Sequence, residues 1–193
     1  AAQAHPQQLG LETTWKVVAS AEAAKEGQLN LVDVTEGAEV KVNFGQPSAE
    51  AGRWAHQALE RAAEDVKAGK IDVVVTCPIN KASIQSESFQ FPGHTEFFEA
   101  RSEGSALMIL MNELLRVALA TVHVPIKEVP EQITIERVET CIRQILASLK
   151  RDFDCSSPRL AVLSLNPHNG DEGLLGKEEQ NVLQPLIAQL QAE

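Results

Sequence analysis

Three of the five histidines in this chain sit in segments whose neighbours suit chemistry. They are His94 in Pro92-Gly93-His94-Thr95-Glu96-Phe97, His123 in Ala120-Thr121-Val122-His123-Val124-Pro125, and His168 in Leu165-Asn166-Pro167-His168-Asn169-Gly170. Neutral imidazole is a favoured ligand of divalent transition metals. His123 and His168 each follow an apolar run that reads as a strand, and each has a proline close by that stiffens the turn presenting the ring. In open α/β sheets, ligands bind beyond the carboxyl ends of strands. The chemistry these residues point to is a metal-assisted active site.

A catalytic metal usually takes three protein ligands and keeps one position open. His56 falls off the apolar stripe of its helix, on the side expected to face water, and His5 lies in an unpatterned terminus. Asp171 or Glu172 could supply an oxygen ligand; otherwise the third ligand lies beyond residue 193 or on another chain. A lone histidine after a strand is more often structural or merely exposed. A pair in equivalent strand-end positions puts a shared site on even terms.

The Gly93-His94-Thr95 segment starts a helix and gathers backbone N–H groups, a hydroxyl and an imidazole, a set that suits phosphate. Ordinary capping by Thr95, with Glu96 in the first turn, accounts for the same residues. Lys81 could neutralise an anion, although most surface lysines do not. Nothing marks Cys77 as a low-pKa thiol, and it reads as a buried structural cysteine. Gly170 to Gly176 has G-x-x-G-x-x-G spacing and two acidic residues, so it reads as a flexible active-site loop or a simple surface turn. Neither G-x-G-x-x-G nor a P-loop pattern occurs in the chain.

The elements that must position these residues alternate between helix and strand. Ser48 can cap a helical stripe at 54, 55, 58, 59, 62 and 66 that stops at Gly69. Ile71 to Cys77 is a β-branched run that reads as a buried strand, with 78–93 as loop. Strand patterns follow at 106–111, 115–122 and 160–165, with weaker ones at 29–34 and 39–44. Thr134 can cap a helix with apolar positions 135, 138, 142, 145, 146 and 149. A last helix at 182–190 contains Pro185, which implies a kink or a late start. This alternation is the signature of βαβ units, and the expected fold class is α/β, a parallel or mixed sheet with helices on both faces. No internal boundary, repeat or linker stands out, so 1–193 reads as one α/β unit.

A net charge of -10 and a pI near 5.0 argue against nucleic acid as the main partner, without excluding phosphorylated small substrates. Three cysteines without a C-x-x-C pair fit reduced thiols in a cytoplasmic protein. No run reaches the roughly 18 apolar residues of a membrane span, and the N-terminus lacks a secretory pattern. The chain begins without Met and stops inside an amphipathic pattern, so a piece of a larger protein is expected.

Taken in order, four segments resemble the 4-hydroxythreonine-4-phosphate dehydrogenases of pyridoxal phosphate biosynthesis. They are Thr76-Cys77-Pro78-Ile79-Asn80-Lys81, Phe91-Pro92-Gly93-His94-Thr95-Glu96-Phe97-Phe98, Leu115 to Pro125, and Leu165-Asn166-Pro167-His168-Asn169-Gly170. The resemblance runs from about Gly45 to the end. It implies a three-layer α/β/α fold similar to isocitrate and isopropylmalate dehydrogenases, a two-subdomain enzyme and a homodimer with its site in an inter-subdomain cleft. It implies NAD(P) and a divalent metal (Zn, Mg or Co) as cofactors. The reaction implied is oxidation of 4-phosphooxy-L-threonine, with loss of CO₂ to give 3-amino-2-oxopropyl phosphate. On the same ground, His94 and Thr95 match substrate-binding positions, and His123 and His168 match two of three histidine metal ligands.

Cys77 departs from the family, which usually has glycine there. The family's opening Gly-Asp segment and its third metal-binding histidine have no counterpart in this chain. Two other readings stand beside the resemblance. One is a paralogous dehydrogenase of a phosphorylated four-carbon hydroxy acid or a cis-dihydrodiol. The other is a non-catalytic metal- or phosphate-binding α/β module.

Overall fold

A computed structural model describes residues 4–193. The chain packs as two compact units, the first ending at Ala106 and the second spanning Leu107–Glu193.

In the first unit, a short helix α1 (Ala4–Gln8) precedes two parallel strands, β1 (Lys16–Val18) and β2 (Asn30–Val32), with Val17 opposite Leu31. β2 matches the strand expected at 29–34, whereas 39–44 forms none. The predicted helix near 48–68 is α2 (Ala49–Lys67). The Ser48 side chain accepts from Ala51 N at 3.1 Å, and Gly69, at φ 67°, ends the helix in the left-handed conformation that glycine tolerates. α2 does not lie on the sheet expected from 71–76. It buries Leu59 and Ala63 against Ile84, Phe89 and Phe97. Ile84 closes α3 (Lys81–Ile84), a single turn inside the segment expected to be loop, capped by the Asn80 side chain on Ser83 N at 2.9 Å. Gly52 lets the two helices meet, because a Cβ there would overlap the Ser83 carbonyl group. α4 (His94–Glu99) begins where the sequence placed a helix start.

Residues 71–77 correct the expectation of a buried strand. Val73 is 74% exposed, Val75 is 92% exposed, and Cys77 is exposed too. β-branched residues favour extended backbone, but a strand also needs a neighbour for its N–H and C=O groups. Among the described residues no strand pairs with this run.

In the second unit, β3 (Ile109–Met111) and β4 (Arg116–Ala118) form an antiparallel hairpin with Leu110 opposite Val117. Asn112 makes the turn: its side chain accepts from Leu114 N and Leu115 N at 2.9 and 2.8 Å. The strands expected at 106–111 and 115–122 are therefore present but shorter. A short α5 (Val129–Gln132) leads to α6 (Ile135–Arg151), capped by Thr134 on Arg137 N at 3.2 Å. Glu136 in its first turn and Lys150 and Arg151 in its last complement the helix dipole. Val138 and Ile142 of its stripe pack with Leu183 and Leu186. Leu183 ends a π-helical turn, Glu179–Leu183, that feeds α7 (Gln184–Gln191). Pro185 lacks an N–H, so the regular ladder starts late, as its place in the pattern predicts.

Residues 160–165 are the second correction. They join no ladder, and Leu163 is 80% exposed. The described sheets are two separate two-stranded pairs, one parallel and one antiparallel, instead of one sheet with helices on both faces. No helix among the described residues is long and apolar enough to cross a membrane.

Candidate functional site

In the first unit, His94 and Thr95 open α4, whose next residue but one, Phe97, is fully buried. Phe97 stacks on Phe89 at 5.4 Å between centroids and meets Phe91 and Phe98 edge-on at 5.6 and 5.2 Å. The Arg101 guanidinium lies 3.7 Å over the Phe97 ring and donates to the Phe97 carbonyl at 3.2 Å. Arg101 also makes a two-point ion pair with Glu60 of α2, one arm of it Nε to Oε2 at 2.8 Å. The Arg101 partner holds the Glu60 carboxyl below the ordinary 4.5, against a smaller opposing effect of burial, with His56 adding to the lowering. α4 is thus braced to α2 by an aromatic cluster and one charged clamp.

Two details bear on ligands. Nε2 of His94 is buried and has no hydrogen-bond partner among the described residues. Leaving such a group unsatisfied costs roughly 1–3 kcal/mol. Thr95 faces a hollow of about 560 Å³ whose lining includes Lys67 and Arg101 as well as Glu99 and Glu103. His94 is not among the residues that line it, so the two neighbours in sequence do not open onto one concavity. Capping by Thr95 does not occur either, since Gly93 takes that place without a side-chain bond.

In the second unit, His123 and His168 are both exposed, and both adopt left-handed backbone, at φ 56° and 51°. Positive φ is uncommon outside glycine, although histidine is enriched among the exceptions. Neither sits directly on a strand end: β4 stops at Ala118, and 160–165 is unpaired. His168 belongs to a continuous left-handed turn of His168, Asn169, Gly170, Asp171 and Glu172. Left-handed conformation costs on the order of 1–2 kcal/mol for each L-residue, less for Asn and Asp, so the surroundings must hold it.

The chain entering it is held by Glu179, 1% exposed. Its Oε1 accepts from Leu165 N at 2.8 Å and Asn166 N at 2.7 Å, and its Oε2 accepts from Asn166 Nδ2 at 2.9 Å. The Asn166 amide lowers the Glu179 pKa, with burial opposing it and the backbone N–H groups adding to the lowering.

The structure thus puts His94 and Thr95 in one unit and His123 and His168 in the other. Asp171 and Glu172 do not complete a three-ligand set with the histidines: among the described residues no group of three His, Cys, Asp or Glu could hold a metal. His56 is corrected outright. Its side chain is 14% exposed, packs edge-on to Phe89 and Phe97, and bonds Glu60 Oε1 at 2.9 Å. Cys77 is exposed instead of buried, Cys141 is partly buried with its thiol pKa pushed up by that burial, and Lys81 is exposed on α3.

Sequence reasoning missed Glu60, Arg101 and Glu179. The His56–Glu60 spacing of four was a readable signal. Arg101 had none, its partner being 41 residues away. Glu178 and Glu179 read as acidic residues at a helix start, which conceals the burial of one of them.

Comparison with known proteins bears on the whole chain. A 4-hydroxythreonine-4-phosphate dehydrogenase of Bacteroides thetaiotaomicron is 46% identical over 189 residues, 97% of this chain and 52% of its own length. One from Xanthomonas campestris pv. campestris is 40% identical over 167 residues, 86% of this chain and 51% of its own length. The crystal structure of a 4-hydroxythreonine-4-phosphate dehydrogenase from Burkholderia phymatum aligns with TM-score 0.80 and 31% identity over 98% of this chain and 58% of that one. The chain spans about half the length of the curated relatives it matches. These neighbours agree with the α/β class read from the sequence. The profile described as pyridoxal phosphate biosynthetic protein PdxA matches residues 2–193, and the chain belongs to that family.

Proposed function

We propose that the complete protein is a metal- and NAD(P)-dependent dehydrogenase. It oxidises 4-phosphooxy-L-threonine, with decarboxylation to 3-amino-2-oxopropyl phosphate, in vitamin B6 biosynthesis. The observation that carries this reading is the 46% identity to a relative of that name, running through 97% of this chain and so through all three histidine segments. The three-layer isocitrate dehydrogenase-like architecture, the homodimer and the cytoplasmic location belong to the same proposal.

The donor chemistry fits a divalent metal in part. His123 and His168 offer two exposed imidazoles, and no third ligand completes a set among the described residues. A bound metal supplies Lewis acidity at the substrate hydroxyl and carbonyl. The two histidines would hold it, their left-handed backbone fixing where each ring starts. His94, whose Nε2 is buried and unpartnered, and Thr95, which faces the hollow lined by Lys67 and Arg101, would be the substrate-binding residues of this turn, although the two do not open onto one concavity in this chain. Binding the phosphate, remote from the reacting carbon, orients that carbon toward the nicotinamide. No residue of this chain is assigned to NAD(P).

The test is NAD(P)⁺ reduction by the product of the complete gene with 4-phosphooxy-L-threonine and a divalent metal. Reduction with release of CO₂ is expected. Activity only on a phosphorylated four-carbon hydroxy acid or a cis-dihydrodiol would replace the substrate, and no activity on any of these would leave a binding module.

A further inference from the structure

We propose that Glu179 is the positioning residue of the His168 loop, a buried carboxylate whose hydrogen bonds set where the His168 ring stands. The inference rests on His168 being a metal ligand, as in the proposed function.

The bonding pattern is selective. A buried carboxylate is costly unless its oxygens are satisfied. Glu179 meets that need from two residues, Leu165 and Asn166, taking both backbone N–H groups and the Asn166 side-chain amide. Glu178 takes the same amide nitrogen at 2.7 Å. These are the residues that lead into Pro167 and His168. Proline fixes its own φ, so clamping Asn166 leaves little freedom before the His168 Cα.

The far side of the loop closes on the same carboxylate. A Cβ on Gly170 would fall 2.8 Å from Gly176 O and 2.9 Å from Glu179 Oε2. A Cβ on Gly176 would overlap the Asn166 side-chain amide. Both glycines have positive φ, 81° and 152°, so neither the space nor the backbone there accepts a larger residue. Leu175 N reaches back to Gly170 O at 3.0 Å and Leu174 N to Asp171 O at 3.0 Å. The left-handed turn carrying His168 is therefore pinned before the histidine by Glu179 and closed after it by the Leu174 and Leu175 N–H groups, with Gly170 packed against the same carboxylate. The His168 ring itself remains exposed, available to a ligand.

The test uses the product of the complete gene with Co²⁺ as probe, comparing wild type, Glu179→Gln, His168→Ala and Leu186→Ala. Glutamine keeps the size of the side chain but turns one of its two acceptors into a donor facing the Asn166 amide. Leu186 is a core residue of α7, 1% exposed, and its truncation controls for lost stability. Positioning partners of metal ligands typically carry 10- to 100-fold in affinity. Glu179→Gln is expected to weaken Co²⁺ binding by roughly tenfold or more on that scale, by calorimetry and the visible Co²⁺ spectrum. Amide exchange at Leu165, Asn166, Leu174 and Leu175 should also quicken while α6 stays protected. Leu186→Ala should lower the melting temperature and leave the affinity unchanged. Wild-type affinity in Glu179→Gln, alongside loss in His168→Ala, would overturn this inference alone. So would a loss in Leu186→Ala equal to that in Glu179→Gln, since affinity would then follow stability. Wild-type affinity in His168→Ala would sink the ligand reading, and this inference with it.

Discussion

Gly52→Ala sets helix propensity against packing, and the structure decides the sign. Within a helix, alanine is favoured over glycine by about 1 kcal/mol, so the substitution in α2 would stabilise if only the backbone mattered. The added Cβ, however, overlaps the Ser83 carbonyl group and comes 3.0 Å from Ile84 N. These are backbone atoms, which cannot swing aside as a side-chain tip can. α3 has to retreat until the Cβ reaches the 3.4–4 Å of ordinary contact. Ile84, 2% exposed in the aromatic cluster, moves with it. Losing the burial of one isoleucine costs about 1.5–3 kcal/mol, and overpacking adds about 1–3 kcal/mol. After the propensity gain, a net loss on the order of 1.5–5 kcal/mol remains. For a chain of this size that corresponds to a fall of roughly 3–20 °C in Tm. Thermal melts by circular dichroism would measure it, with Gly104→Ala as control, because a Cβ there meets nothing within 4 Å. An unchanged or higher Tm in Gly52→Ala would refute the close α2–α3 approach and the aromatic core built on it.

Thr95→Ala should raise KM for 4-phosphooxy-L-threonine by roughly tenfold or more and leave KM for NAD(P)⁺ near wild type, since a hydrogen bond to a charged group is worth about 1.5–3 kcal/mol. Steady-state kinetics check it, and equal changes in both constants would return Thr95 to a structural role. Glu60→Gln tests the clamp on α4. The folded-state pKa of Glu60 is depressed, chiefly by Arg101 and further by His56, so its contribution is present above the ordinary 4.5 and is lost as pH falls through the lower folded value. The variant should melt below wild type at pH 7 by an amount worth less than about 1 kcal/mol, because the pair is partly exposed. The gap should close as pH falls from the ordinary 4.5 through the lower folded value. A gap that persists in acid would show that packing, not charge, is what the glutamine disturbs.

Local chemistry told much of this protein in advance. Ser48 and Thr134 accept from the backbone N–H groups they were expected to cap, because a cap needs only its own next turn. The stripes of α2 and α6 bury Leu59, Val138 and Ile142 because a 3.6-residue period settles which face is apolar. Asn112 turns the β3–β4 hairpin through bonds that reach three residues at most. The order of the histidine segments pointed to the family that the comparison then established.

Tertiary structure decided what depends on distant partners. Ile71 to Cys77 and 160–165 have the residue types of strands, yet a ladder forms only where a second chain segment supplies acceptors and donors, and none of those described does. His56 was placed toward water because its helix period says so, but Phe89 and Phe97 arrive from other elements and cover it. Arg101 finds Glu60 across 41 residues, and Glu179 reaches Leu165 and Asn166 across 14 and 13. Periodicity reports which side of an element is apolar. It carries no record of which polar group another element will bring to that side, and the exposure of Cys77, the left-handed turn at His168 and the burial of Glu179 were all settled at that level.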